Sequence, residues 1–183
     1  MRIISGIHRG RNITAPKKLP VRPTTDRAKE ALFNILHNRF YFPDLRVLDL
    51  FAGTGNIAYE FASRGVGDIV CVDRHMGCIK FIEKTATQLQ MPISPLKKDV
   101  FSYLEQASSP FDIVFADPPY DMEIDQLKSL SENVFERELL KEDGFLVIEH
   151  SKHTDLSLLP HFWEARNYGG RTFSFFVPKA SQP

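Results

Sequence analysis

Residues 111 to 121 read FDIVFADPPYD, an apolar run closed by an acid, two consecutive prolines and a tyrosine. Each proline fixes its own φ and donates no backbone hydrogen bond. Asp117-Pro118-Pro119-Tyr120 is therefore a stiff loop that offers acceptors beside an aromatic ring. Such acceptors suit an exocyclic amine on a heterocycle, a poor nucleophile because its lone pair is delocalised into the ring. If the Asp117 carboxylate and the Pro118 carbonyl accept its two N–H groups, the nitrogen pyramidalises and the lone pair turns outward. Tyr120 gives the base a face to stack on, worth about 1–3 kcal/mol in single-stranded complexes. Holding donor and acceptor in line is worth about 7–11 kcal/mol at best, so positioning can carry most of such a reaction without a strong base. A plain proline-rich turn is the competing reading.

A second stretch, VLDLFAGTGNIA at residues 47 to 58, runs from an apolar segment into two glycines. Gly53 and Gly55 allow close backbone approach to a ligand at a helix start, and Gly53-x-Gly55-x-x-Ala58 also satisfies a relaxed dinucleotide fingerprint. Asp49 discriminates between ligands. A dinucleotide would set an anionic pyrophosphate near this carboxylate, whereas an ammonium or sulfonium would be attracted to it. S-adenosylmethionine carries both cations beside a ribose and an adenine. Asp73 falls where an acid accepts from ribose hydroxyls. Asp99 is placed to accept an adenine amino group, with Val100 offering a backbone N–H. Taken singly each acid is also a helix cap or a solvated turn; three at three successive strand ends favour adenosylmethionine over a nicotinamide cofactor.

These residues need a frame. Strands are expected at Arg46 to Leu50, Asp68 to Val72, Ile93 to Leu96, Phe111 to Ala116 and Gly144 to Glu149, with helices near Asn56 to Arg64, His75 to Gln90, Phe101 to Ala107 and Ile124 to Leu140. Alternating strands and helices mean βαβ units and a parallel sheet covered on both faces. The end, FWEARNYGGRTFSFFV, reads as an antiparallel edge hairpin around Tyr168-Gly169-Gly170. The start reads as two short strands, Arg2 to Ile7 and Asn12 to Ala15, then a proline-bearing loop and a helix capped by Thr24 or Thr25 and running to about His37. The fold class is α/β, with a small N-terminal hairpin and helix extension. Residues 1–43 form that extension and residues 44–183 the core of a single domain, a size that buries a real core.

Composition narrows the classes. At 43% hydrophobic and 25% charged residues the chain is globular, and no apolar run reaches the roughly 18 residues of a membrane span. The start lacks a secretory pattern, so a cytoplasmic protein without membrane attachment is expected. Cys71 and Cys78 have neither metal-ligand nor disulfide spacing and read as apolar fillers, so no metal is expected. His150 and Trp163 read as packed residues. The chain is neutral overall, yet residues 1 to 40 hold nine Lys or Arg against two acids. Such a basic end fits a polyanion, or simply a solvated surface.

Asp49-x-Phe51-x-Gly53-x-Gly55 followed by Asp117-Pro118-Pro119-Tyr120 resembles the amino-group methyltransferases of DNA and RNA. RIISGIHRGRNI and RPTTDRAKEALFNIL are similar to the N-terminal signature of the RsmD family, which methylates a guanine N2 in bacterial small-subunit (16S) ribosomal RNA. The resemblance covers nearly the whole chain. It implies a Rossmann-like, seven-stranded methyltransferase sheet, S-adenosylmethionine as donor with S-adenosylhomocysteine as product, and an assembled or assembling small ribosomal subunit as substrate, met by a monomer. Carried over, Asp117, Pro118, Pro119 and Tyr120 are catalytic, and Asp49, Phe51, Gly53, Gly55, Asp73, Asp99 and Val100 hold the cofactor. Arg22, Thr24, Thr25 and Arg27 lie near the pocket mouth, and Arg2, Arg9 and Arg11 hold phosphates. Thr24 or Thr25 competes as a helix cap, and Arg27 as a partner of Glu30. Two departures stand out: Asn56 where the family has a small apolar residue, and His8 where it often has an aromatic.

Three rivals remain. A DNA adenine-N6 methyltransferase would use the same loop on a flipped base, although 183 residues leave little room for duplex recognition. A non-catalytic RNA-binding assembly factor would not need the intact loop and glycines. A nicotinamide oxidoreductase would have to tolerate Asp49 beside phosphate.

Overall fold

The computed structural model describes residues 1–19 and 24–178. A seven-stranded sheet runs through them: β1 (Arg46–Leu50), β2 (Asp68–Asp73), β3 (Ile93–Lys97), β4 (Phe111–Ala116), β5 (Leu140–Ser151), β6 (Phe162–Tyr168) and β7 (Arg171–Phe176). Their order is β3-β2-β1-β4-β5-β7-β6. The first five pair in parallel, and β7 joins β5 and β6 antiparallel. The Rossmann-like sheet and its antiparallel edge hairpin are thus as the sequence implies. The central strands β1 and β4 are almost wholly buried, which is why they read as mainly apolar runs. β3 lies at the edge, where Pro95 withholds an N–H at little cost.

Helices cover both faces. On one side α1 (Asp26–His37), α2 (Asn56–Ser63) and α3 (Met76–Leu89) pack Leu32, Phe33, Phe61 and Ile82 onto Val47, Phe115 and Phe173. On the other, α4 (Val100–Leu104) and α5 (Ile124–Glu136) pack Leu104, Leu127 and Leu130 onto Leu48, Val114 and Ile148. Among the described residues no helix is long and apolar enough to cross a membrane. Both cysteines are buried, His150 bonds to the Ser174 hydroxyl at 2.8 Å, and Trp163 packs against Phe145 under the Arg39 guanidinium.

Two expectations need correction. The first residues do not form two strands; a single antiparallel bridge joins Arg2 and Asn12. Their amides are committed elsewhere: Ile4 and Ser5 donate to the Glu60 carboxylate at 2.8 and 3.0 Å, and Ile7 to the Ser63 carbonyl at 2.8 Å. Ile3 still donates to the Arg11 carbonyl at 3.0 Å and Ile13 to the Met1 carbonyl at 2.8 Å, so the segment makes a short pairing with itself and is bolted to α2 by the amides of residues 4, 5 and 7. The last helix stops at Glu136, short of Leu140, because Glu138 turns to a left-handed φ of 52° and the chain enters β5 early.

Candidate active site

The carboxyl ends of the parallel strands open onto a cavity of about 610 Å³. Its first wall is the loop from β1 to α2. Phe51 and Gly53 take left-handed φ values of 55° and 54°, and a non-glycine residue there stores strain of about 1–3 kcal/mol. The loop is braced from β2: the Asp73 carboxylate accepts the Gly53 amide at 2.9 Å and the His75 amide at 2.7 Å. Asp73 is therefore a structural tie as well as a wall residue. Gly55 does not line the cavity. Its φ is +83°, and a Cβ there would sit 2.9 Å from Tyr59 Cζ and 3.0 Å from Ile82 Cγ1. The second glycine admits packing beneath the loop.

Asp49 lies at the floor, 2% exposed, with Oδ2 hydrogen-bonded to nothing among the described residues. Burial pushes its carboxyl up to about 8, against the pull of an Ala58 amide and helped by Asp73. Asp99 caps α4 by accepting from the Ser102 amide at 3.0 Å, and Val100 opens that helix with its amide in the unpaired first turn. Both line the cavity.

The opposite wall begins where β4 ends. Asp117, Pro118, Pro119 and Tyr120 all line the cavity; the Asp117 amide donates to the Leu50 carbonyl at 3.3 Å, and a turn from Pro119 to Met122 closes the loop. Burial, then the charges of Glu149 and Asp49, push the Asp117 carboxyl well up, while Arg171 opposes them. Glu149 ends the apolar part of β5 and pairs with the Arg171 guanidinium; its second oxygen accepts the Thr24 hydroxyl at 3.1 Å. The guanidinium carbon of Arg171 lies 5.7 Å from the centre of the Tyr120 ring.

Sequence reasoning missed Glu149 and Arg171. Glu149 carries the signal that marks Asp49 and Asp117, an acid closing a buried parallel strand, and was legible. Arg171 arrives through the register of β7 against β5, which no local pattern encodes. Asn56 acquires a purpose too. Its amide donates to the Thr24 carbonyl at 3.3 Å and accepts Lys29 Nζ at 2.9 Å. Lys29 also donates to the Arg2 carbonyl at 2.6 Å and pairs with Glu60 at 3.4 Å. A buried polar chain thus runs from the N-terminal segment to Glu149.

Thr24 alone of the remaining sequence-chosen residues lines the cavity, its hydroxyl engaged; Arg22 lies outside the described residues. Thr25 caps α1 by accepting from the Ala28 amide at 3.3 Å. Arg2 pairs with Asp26 at 3.0 Å. Arg9, Arg11 and Arg27 are exposed and, among the described residues, form no ion pair, so Arg27 does not reach Glu30. Arg11 lines a second groove of about 540 Å³ with Lys80 and Lys84 of α3. His8 uses its amide on the Ser63 hydroxyl at 3.0 Å.

The chain is 36% identical to a putative rRNA methyltransferase, YlbH, of Bacillus subtilis, over 85% of each chain. It is 30% identical to ribosomal RNA small subunit methyltransferase D of Escherichia coli, over 89% of this chain and 81% of that one. Among solved structures, the putative methyltransferase yhhF from Escherichia coli superposes with a TM-score of 0.85 at 26% identity, over 99% of both chains. The pattern of the family described as conserved hypothetical protein 95 matches residues 1–177. With that match and these relatives, the chain belongs to the RsmD family.

Proposed function

We propose that the protein is an S-adenosylmethionine-dependent ribosomal RNA methyltransferase that modifies the exocyclic N2 amine of a guanine in the small-subunit RNA. The observation that carries this reading is one cavity with two complementary walls. Asp49, with one buried oxygen that has no hydrogen-bond partner among the described residues, and the Asp117–Pro118 acceptors line the same cavity. Burial makes the Asp49 carboxyl costly to ionise until a cation reaches it, and a cationic ligand supplies one. A pyrophosphate would make the same site worse, which weighs against a nicotinamide cofactor. The relatives' names support ribosomal RNA as the substrate class.

In this reading Asp49 holds the ammonium end of the cofactor. The loop through Gly53 follows its methionine portion, Asp73 accepts from ribose hydroxyls with its remaining lone pairs, and Asp99 and the Val100 amide meet the adenine. When bound, the cofactor supplies a methyl group whose bond to sulfur breaks, with its electron pair returning to sulfur, as a nitrogen–carbon bond forms and the nitrogen then loses a proton. The protein's own part is alignment. Asp117 and the Pro118 carbonyl take the two amine hydrogens and turn the lone pair towards the donor, while the exposed Tyr120 ring stacks on the extruded base. Arg9 and Arg11 lie on the exposed N-terminal segment, where RNA phosphates can reach them.

The test is incubation with methyl-labelled S-adenosylmethionine and small ribosomal subunits from cells lacking the protein, followed by nucleoside analysis. Label in N2-methylguanosine is the expected result. Label in N6-methyladenine of DNA would instead select the adenine enzyme, and cofactor binding without transfer to either would select an assembly factor.

A further inference from the structure

We propose that Arg171, held by Glu149, whose other oxygen is bonded to Thr24, is a positioning residue for the transfer, its guanidinium serving as counter-ion to Asp117 and support for the Tyr120 ring. The inference rests on the reading of the cavity as an amino-group methyltransferase site.

Arg171 is the first residue after the Gly169–Gly170 turn, and its register opposite Ser151 carries it to the carboxyl end of β5. Glu149, paired with Phe173, lies two residues from each on the same face, so the two side chains meet diagonally. Glu149 is fully buried and Arg171 is 9% exposed. One Glu149 oxygen takes the guanidinium and the other the Thr24 hydroxyl, which fixes the carboxylate at both ends. His150 alternates to the other face, bonded to Ser174 and to the Ser151 carbonyl. The guanidinium, so anchored, lines the cavity beside Asp117 and lies over the Tyr120 ring.

The charges around Asp117 make this cation consequential. Asp49 acts on it from β1 and Glu149 from β5, both raising its affinity for a proton; Arg171, from β7, lowers it. Carboxylates crowded in a buried site cannot all stay ionised without a cation. A protonated Asp117 would present a donor to the target amine and lose one of the two acceptors that turn its lone pair. The planar guanidinium also covers an aromatic face, which a lysine ammonium does less well. Thr24 ties the arrangement to the segment that leads into α1, so the N-terminal extension takes part in building the base-binding wall.

The experiment measures methyl transfer to small ribosomal subunits from pH 5.5 to 9 for the parent, Arg171→Gln, Arg171→Lys and Glu149→Gln. Loss of the cation in Arg171→Gln is expected to lower kcat about 10- to 100-fold, the scale of a misplaced reacting group, with KM for the cofactor nearly unchanged. Its acid limb moves to higher pH. Glu149→Gln removes a repelling charge and moves the acid limb to lower pH. Arg171→Lys returns the limb towards the parent position without restoring full kcat. Opposite displacements in Arg171→Gln and Glu149→Gln support the role; unmoved limbs, or displacement in one common direction, overturn it. Should Arg171→Gln fail to fold, Arg171→Lys decides: a kcat well below the parent with the limb near its place supports the role, and a parent-like kcat overturns it. A parent protein that binds cofactor but transfers no methyl group overturns the reading of the site and this role with it, whereas transfer with unmoved limbs overturns only the role.

Discussion

On the β1–β3 side of the cleft each acid is held by its own neighbourhood. Asp99 caps the helix that follows it, Asp73 ties down a loop 20 residues away, and Asp49 takes an amide from Ala58 just beyond the glycines. On the β4–β5–β7 side nothing is local. Asp117 depends on an ion pair between β5 and β7, and Glu149 of that pair is capped by Thr24, 125 residues away in sequence. The wall proposed for the cofactor is therefore assembled from consecutive βα turns, whereas the wall proposed to meet the base needs the edge hairpin and the N-terminal extension to be in place. The two walls are proposed to perform separable tasks, and substitutions can separate them.

The largest effect is expected at Asp117. Asp117→Ala removes one of two acceptors for the target amine and should lower methyl transfer about 1000-fold, the upper end for one preorganised polar group in an active site. Single-turnover transfer from bound cofactor checks it. Next is the buried polar chain: Lys29→Met removes one of two cations from Glu60, leaving Arg64 at 2.9 Å, and frees the Asn56 and Arg2 carbonyl oxygens, and should cost about 1–3 kcal/mol of stability, read from denaturant unfolding. Loss of a single exposed pair such as Arg2–Asp26 should cost under about 1 kcal/mol in the same experiment.

The cofactor wall should respond to pH. With the Asp49 carboxyl near 8 in the free protein, a cationic ligand must displace a proton at lower pH. Affinity for S-adenosylmethionine should therefore rise about tenfold from pH 5.5 to 6.5, below the range where its own amine loses charge. Asp49→Asn should flatten that dependence, and titration calorimetry in buffers of different ionisation enthalpy measures the proton release. The smallest effect belongs to the outer surface. Arg9→Ala with Arg11→Ala should weaken RNA binding and make its logarithmic salt slope shallower by about 1.5, as two phosphate contacts are lost. Charge reversal at Lys80 and Lys84, which share the second groove with Arg11, sharpens that test.

The same contrast explains what the sequence could disclose. β1 and β4 are found within the bounds their apolar runs predict, because a strand buried on both faces is dominated by apolar residues. The strand-end rule places Asp49, Asp73, Asp99 and Asp117 around one cavity, and applied once more it would also have found Glu149. Arg171, Asn56 and Lys29 were not legible as site residues, since their roles come from partners far away in the chain. The N-terminal residues read as strands for a related reason: they do pair briefly, through Ile3 and Ile13, but distant acceptors on α2 take the amides of Ile4, Ser5 and Ile7. Glu138 ends α5 in a left-handed turn without a glycine to announce it.

The most direct measurement of the division between walls is cofactor binding by calorimetry to Asp117→Ala, alongside its rate of methyl transfer. The account predicts affinity within about twofold of the parent, less than 0.5 kcal/mol, while transfer collapses. Loss of cofactor binding in step with transfer would contradict it, by placing Asp117 on the cofactor rather than on the amine.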